Sequence, residues 1–148
     1  MKPNALLQSI FIGVVSLGIS TLATAEETAN AVSRSLSIDV NRAQTTQSGC
    51  LISLFIQNGL HQDVEKLVLE TVLMTSSGQV DRLTLFDLGR LPSGRPRVRQ
   101  FELAGTDCEN LGMLIVNGVT QCSAGNLTTS DCEDALELSS KSTLEVVG

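Results

Sequence analysis

Residues 64–87 read VEKLVLETVLMTSSGQVDRLTLFD, and this stretch decides the fold. Its first half fits two structures. Val64, Leu67, Val68, Thr71 and Val72 make a helical stripe, whereas Leu67, Leu69, Thr71 and Leu73 make one face of a strand. Ser76-Ser77-Gly78-Gln79 then reads as a hairpin connection. The run after it sets Val80, Arg82, Thr84 and Phe86 against Asp81, Leu83 and Leu85. The hairpin context and the Val and Thr content favour a strand on both sides of the turn.

Other short runs follow the same period. Leu36, Ile38 and Val40 alternate with polar residues, and Cys50 to Gln57 forms an apolar central strand that stops at Asn58-Gly59. Gly89 to Pro96 holds two Gly and two Pro and reads as a loop. Arg97 to Leu103 is extended. Met113 to Val119 is apolar, and its Asn117-Gly118 either closes a tight hairpin or ends a strand. Thr128 to Leu136 reads as a short helix, with Ser130 and Glu133 spaced as a capping box. Leu136 to Val147 closes a sheet. About seven strands, regular turn signals and one small helix near the C-terminus predict an all-β, immunoglobulin-like antiparallel β-sandwich spanning 35–148.

The first residues read as an address. A short n-region with Lys2 precedes an apolar run from Leu6 to Leu22, which ends at Ala23-Thr24-Ala25. This predicts a signal peptide over 1–25, cut between Ala25 and Glu26, and a loose segment over 26–34. Cleavage leaves 123 residues, with nine basic and sixteen acidic side chains and a net charge of −7. No second apolar segment of spanning length follows. The expected location is therefore the periplasm or the exterior, with no transmembrane segment after processing.

All four cysteines, Cys50, Cys108, Cys122 and Cys132, lie in the mature part. An even count in an exported chain reads as two disulfides, with free buried thiols as the alternative. If successive strands alternate in direction, Cys50 and Cys108 fall at one end of the fold and Cys122 and Cys132 at the other. A bridge needs Cα atoms within about 7 Å, so the expected pairs are Cys50–Cys108 and Cys122–Cys132. A true hairpin at Asn117-Gly118 would reverse one strand and void that argument.

Thr71–Leu103, TVLMTSSGQVDRLTLFDLGRLPSGRPRVRQFEL, resembles the middle of FxLYD-type immunoglobulin-like domains of exported bacterial proteins. The matching features are a long strand, a turn at Gly78, a second strand, the loop Leu91-Pro92-Ser93-Gly94, and a third strand bearing Phe101. CLISLFIQN (Cys50–Asn58) resembles the strand that opens such domains. The Phe-x-Leu-Tyr-Asp motif itself is absent. The resemblance implies a binding or adaptor module, and it assigns no catalytic residue.

Composition narrows the function classes further. With a single His, no Cys-x-x-Cys pair and no Lys/Arg-rich tract, the chain shows no zinc site and no nucleic-acid surface. His61 sits in a polar turn, and no Ser occupies a Gly-x-Ser-x-Gly elbow. Asp131, Glu133 and Asp134 read as charges near a helix N-terminus rather than as a metal set. No enzyme, metal or cofactor is expected.

The unusual feature is charge. Arg82, Arg90, Arg95, Arg97 and Arg99 face only Asp87 within residues 82–99, a segment of +4 in a chain of −7. Arg95, Arg97 and Arg99 alternate, so in a strand they share one face. Arg binds carboxylates and phosphates through two parallel hydrogen bonds. Arg90, Arg95, Arg97 and Arg99 are therefore the candidate contacts to another envelope protein or an anionic envelope component. The plainer alternative is that they pair with acids of their own chain. A different function class, a secreted inhibitor or assembly chaperone, would use an edge strand or the 89–96 loop.

Overall fold

The structure is a computed structural model, and it describes residues 34–148. The predicted signal peptide and all of the loose segment except Arg34 lie outside the described residues.

Among the described residues eight strands follow in order: β1 (Leu36–Thr45), β2 (Gly49–Asn58), β3 (Val64–Thr75), β4 (Val80–Leu91), β5 (Arg97–Ala104), β6 (Leu111–Ser123), β7 (Leu136–Ser140) and β8 (Glu145–Val147). A single helix, α1 (Thr129–Asp134), separates β6 from β7. The strands form two four-stranded sheets, β5-β2-β1-β7 and β4-β3-β6-β8, and make the expected β-sandwich. The ambiguous 64–75 segment is a strand. Leu67, Leu69, Thr71 and Leu73 are its buried face, as the period of two requires.

The core is aliphatic. Leu36, Ile38 and Val40 of β1 and Ile52, Leu54 and Ile56 of β2 join Leu67, Leu69 and Leu73 of β3 in one buried cluster. Branched and γ-branched side chains suit this role because they pack well on a pleated surface and lose little rotamer freedom there.

Two pairings are parallel rather than antiparallel, β1 with β7 and β6 with β8. They follow from strict up-and-down alternation of eight strands. Strands that are both odd or both even in the series point the same way, and these two pairs are so matched. The final run, read from sequence as one strand, is two, broken by the turn at 141–144.

The strand directions needed by the disulfide argument hold. Cys50–Cys108 and Cys122–Cys132 are bridged, with Cα separations of 4.8 and 6.5 Å. Asn117-Gly118 neither turns nor ends a strand. β6 runs through it, and Asn117 is an extra residue between the pairs Glu70–Gly118 and Thr71–Val116. Its side chain donates to Glu70, which holds the bulge in place.

The capping box also lies elsewhere than the spacing suggests. Thr128, not Ser130, is the N-cap. Its hydroxyl accepts from the Asp131 amide at 3.2 Å, and the Asp131 carboxylate accepts from the Thr128 amide at 2.7 Å. Starting the helix here gives α1 the turn that buries Cys132 against Cys122. Glu133 is free of the cap and instead accepts from the Val119 amide at 3.2 Å.

At the β1–β2 turn, Glu102 of β5 accepts from Thr46 and Ser48 hydroxyls at 2.8 and 2.5 Å. Gly49 allows this close packing. A Cβ there would stand 2.0 Å from the Leu103 carbonyl oxygen.

Two predictions follow from these anchors. The Cys50–Cys108 bridge closes a loop with a sequence separation of 58, against 10 for Cys122–Cys132. On loop entropy the pair of Ser replacements should cost about 4 kcal/mol for the first bridge and about 3 kcal/mol for the second. Urea unfolding of the two variants measures the difference, and a larger loss for the second bridge would contradict it. The second prediction concerns acid. The Ser48 and Thr46 hydroxyls hold the Glu102 carboxyl below its ordinary 4.5, and the Thr128 amide and hydroxyl hold Asp131 below its ordinary 3.8. Both carboxylates thus stabilise the fold above those values, and the contribution is lost as pH falls through the lowered ones. The melting temperature should be level above pH 4.5 and fall below it. Ser48→Ala should make the fall shallower in a thermal scan across acid pH.

Candidate functional site

The arginine segment occupies the seam where edge strand β4 of one sheet meets edge strand β5 of the other. Phe86 of β4 and Phe101 of β5 stack across this seam, with centroids 4.1 Å apart and planes 7° from parallel. They seal the sandwich where no strand pairing crosses it.

The structure divides the arginines by role. Arg99 is drawn into the seam. Its Nε donates to the Leu88 carbonyl at 2.8 Å and its Nη2 to the Arg90 carbonyl at 3.2 Å. Arg82 holds the other end, bonding Asp81 at 2.6 Å, the Ala104 carbonyl at 3.1 Å and the Thr106 hydroxyl at 2.7 Å. Arg90 lies between two acids of its own chain, Asp63 at 2.7 Å and Glu65 at 3.1 Å. Asp87, the one acid within the segment, is taken by Lys66 at 2.5 Å. That contact, with help from the Gly89 amide, holds the Asp87 carboxyl below its ordinary value.

Arg95 and Arg97 are left. Arg95 is an exposed residue of the loop before β5, so it does not share a strand face with Arg97 and Arg99. Arg97 opens β5 and donates to its neighbour's Pro96 carbonyl at 2.9 Å. Neither meets a carboxylate among the described residues. The strip of four candidates thus resolves into one seam tie, one guanidinium paired with acids, the exposed Arg95 and the half-buried Arg97.

The loop between β4 and β5 is shorter than Gly89–Pro96. Gly89, at φ 63°, sits in a bulge inside β4, whose strand continues to the buried Leu91. Residues 92–96 form the actual connection, and they are clamped. Asn58, itself buried, donates from Nδ2 to the Leu91 and Gln62 carbonyls at 2.7 and 3.0 Å and accepts from the Leu60 amide at 2.9 Å. The Gly94 amide reaches the Asn58 carbonyl at 2.9 Å, and the Ser93 amide reaches Asp63 at 2.8 Å. The Asn at the end of the β2 sequence is therefore the anchor of the loop, a role that sequence reading did not assign.

Two further surfaces stand apart from the arginines. The solvent side of β4-β3-β6-β8 displays Val80, Leu83 and Leu85, all more than half exposed. Sequence reasoning missed this face, although a signal was present. Strands 64–75, 80–87 and 113–119 are apolar on both faces, and only one face of each can look into the sandwich. At the opposite seam a cleft of about 390 Å³ is lined by Val116, Leu136, Leu138 and Val146, with Glu133 as its one charged side chain. His61 is exposed in its turn. No group of His, Cys, Asp or Glu with metal-binding geometry occurs among the described residues.

Compared with family models, curated proteins and solved structures, the chain finds no match.

The division of roles is testable by stability. Arg99→Ser removes two hydrogen bonds from carbonyls of β4 and should lower stability by about 1–3 kcal/mol. Arg95→Ser should change it by less than about 0.5 kcal/mol. Urea titrations of the two variants distinguish them, and equal losses would refute the assignment.

Proposed function

We propose that the chain is a small exported, non-enzymatic binding or adaptor module that docks an anionic partner of the cell envelope through Arg95 and Arg97. The observation that carries this reading is the absence of any opposing carboxylate at these two side chains among the described residues, in a chain whose other cations mostly have internal partners. Two guanidinium groups beside a clamped loop offer forked donors without a large ordering cost, the chemistry that suits carboxylate or phosphate groups. Export accords with the predicted signal peptide, with two disulfides that persist in an oxidising compartment, and with the resemblance to exported FxLYD-type domains. No helix among the described residues is long and apolar enough to cross a membrane.

One observation favours a second reading, an inhibitor or assembly chaperone. The 92–96 loop carries two Pro and is held by Asn58 and Asp63 through Leu91, Ser93 and Gly94, which makes it a rigid probe. Rigid loops bind well because little freedom remains to be lost.

The experiment that separates them is capture from an envelope extract on immobilised mature protein. The wild type, an R95S/R97S variant and a variant with Pro92 and Ser93 both changed to Gly are compared. A partner retained by the loop variant and lost with R95S/R97S, and eluted from the wild type by raised salt, is the expected result. A partner lost only with the loop variant establishes the second reading in its place. A partner retained by both variants refutes both.

A further inference from the structure

The solvent side of β4-β3-β6-β8 is more than a few scattered aliphatic residues. Leu83, Val72, Ile115 and Val147 occupy a single register line that crosses all four strands. The neighbouring line runs through Val80, Met74, Met113 and Glu145. Seven of these eight positions are apolar, and Leu85 extends the patch along β4. Leu83 is 58% exposed and Leu85 54%.

Two of the polar groups at the margin are already matched inside the chain. Lys66 pairs with Asp87, and Glu70 accepts from Asn117. The other sheet behaves differently. Its line through Val98, Phe55, Asp39 and Ser139 becomes polar halfway across. Exposed apolar area is thus gathered on one face, and contiguous patches of this kind mark interaction sites.

We infer that this face packs against the same face of a second copy, forming a two-fold dimer with four sheets stacked in layers. Two features select that occupant. The first is self-complementarity. A mainly aliphatic face, with Lys66 and Asp87 paired at its margin and Glu145 confined to its short edge strand, asks for another aliphatic face, and a two-fold contact supplies one from the same surface. The second is area. Strands of 12, 12, 13 and 3 residues, at about 3.3 Å per residue and about 4.8 Å apart, make a face of roughly 630 Å². That falls at the lower end of the roughly 600–1,000 Å² that each partner contributes to a stable interface of ordinary size. Aligned sheets pack face to face in the same way inside a sandwich, about 10 Å apart. The inference does not depend on the arginine reading, which uses different side chains.

The test is sedimentation velocity on the oxidised mature protein across a micromolar concentration range. It includes an L83E/L85E variant and a V98E variant, whose Val98 is equally exposed, at 57%, on the other sheet. Wild type and V98E should sediment as dimers. L83E/L85E should be monomeric, or should dimerise roughly 100-fold more weakly, with an unchanged far-ultraviolet circular dichroism spectrum. A second readout uses the wild type alone: peroxide should oxidise Met74 and Met113 more slowly at dimer-forming concentrations than after dilution. A monomeric wild type, a dimer that survives L83E/L85E, or methionine oxidation independent of concentration overturns the inference. A monomer whose Leu83-dependent binding goes instead to phosphatidylglycerol vesicles would assign the face to lipid and overturn it too.

Discussion

Burial of one aliphatic face from each strand is the constraint on which the structure depends. The chain has no Trp or Tyr and only four Phe, so no large ring dominates the interior. Leu, Ile and Val in a period of two do that work instead, and a slip of one residue would move a whole row to the wrong side. Register is therefore set strongly wherever only one face is apolar, as in β1. The disulfides act on this frame from outside the strand pairings. Cys50–Cys108 ties β2 to the turn before β6, and Cys122–Cys132 fastens the helix to the end of β6. Each bridge joins a strand to a segment outside the sheets, where no ladder of backbone hydrogen bonds reaches.

A sandwich of two open sheets has two seams, and this one closes them by different means. At the β4–β5 seam, stacked Phe86 and Phe101 fill the gap while Arg82 and Arg99 span it with hydrogen bonds to backbone carbonyls. At the β7–β8 seam the strands are short and a cleft remains. The positively charged segment is thus largely structural in purpose. Five Arg in eighteen residues looked like one surface in the sequence, but three of them answer to acids or to carbonyls of another strand, Arg97 is half-buried against its neighbour's carbonyl, and the remaining one, Arg95, stands exposed.

Much of the fold could be read in advance because it rests on local periodicity. The strand character of 64–75 was recoverable from the alternation of Leu67, Leu69, Thr71 and Leu73 beside a Gly turn. The disulfide pairing followed from strand direction alone. Features set by distant contacts were hidden. Asn117-Gly118 carries a turn signal, yet Glu70 on β3 captures the Asn side chain and converts the site to a bulge. Gly89 suggested the start of a loop, yet the buried Leu91 pulls the strand onward for two residues beyond it. Ser130 and Glu133 have the spacing of a cap, but Thr128 and Asp131 make the cap instead, and the helix that follows carries Cys132 to Cys122. The candidate arginines were visible as letters, while their partners, carbonyls in particular, have no sequence signature. The apolar outer face was present in the letters as strands greasy on both sides, but alternation alone cannot say which side looks inward.

Arg99 has one more consequence. The outer rim of β4 is a row of backbone groups with no neighbouring strand in its own sheet. Such a rim is where stray extended chains attach and fibrils begin to grow. A bulky cation locked over the Leu88 and Arg90 carbonyls denies those attachment points to any newcomer, so the residue that clasps the two layers together also keeps crowded, newly folded copies from adding to one another along that rim.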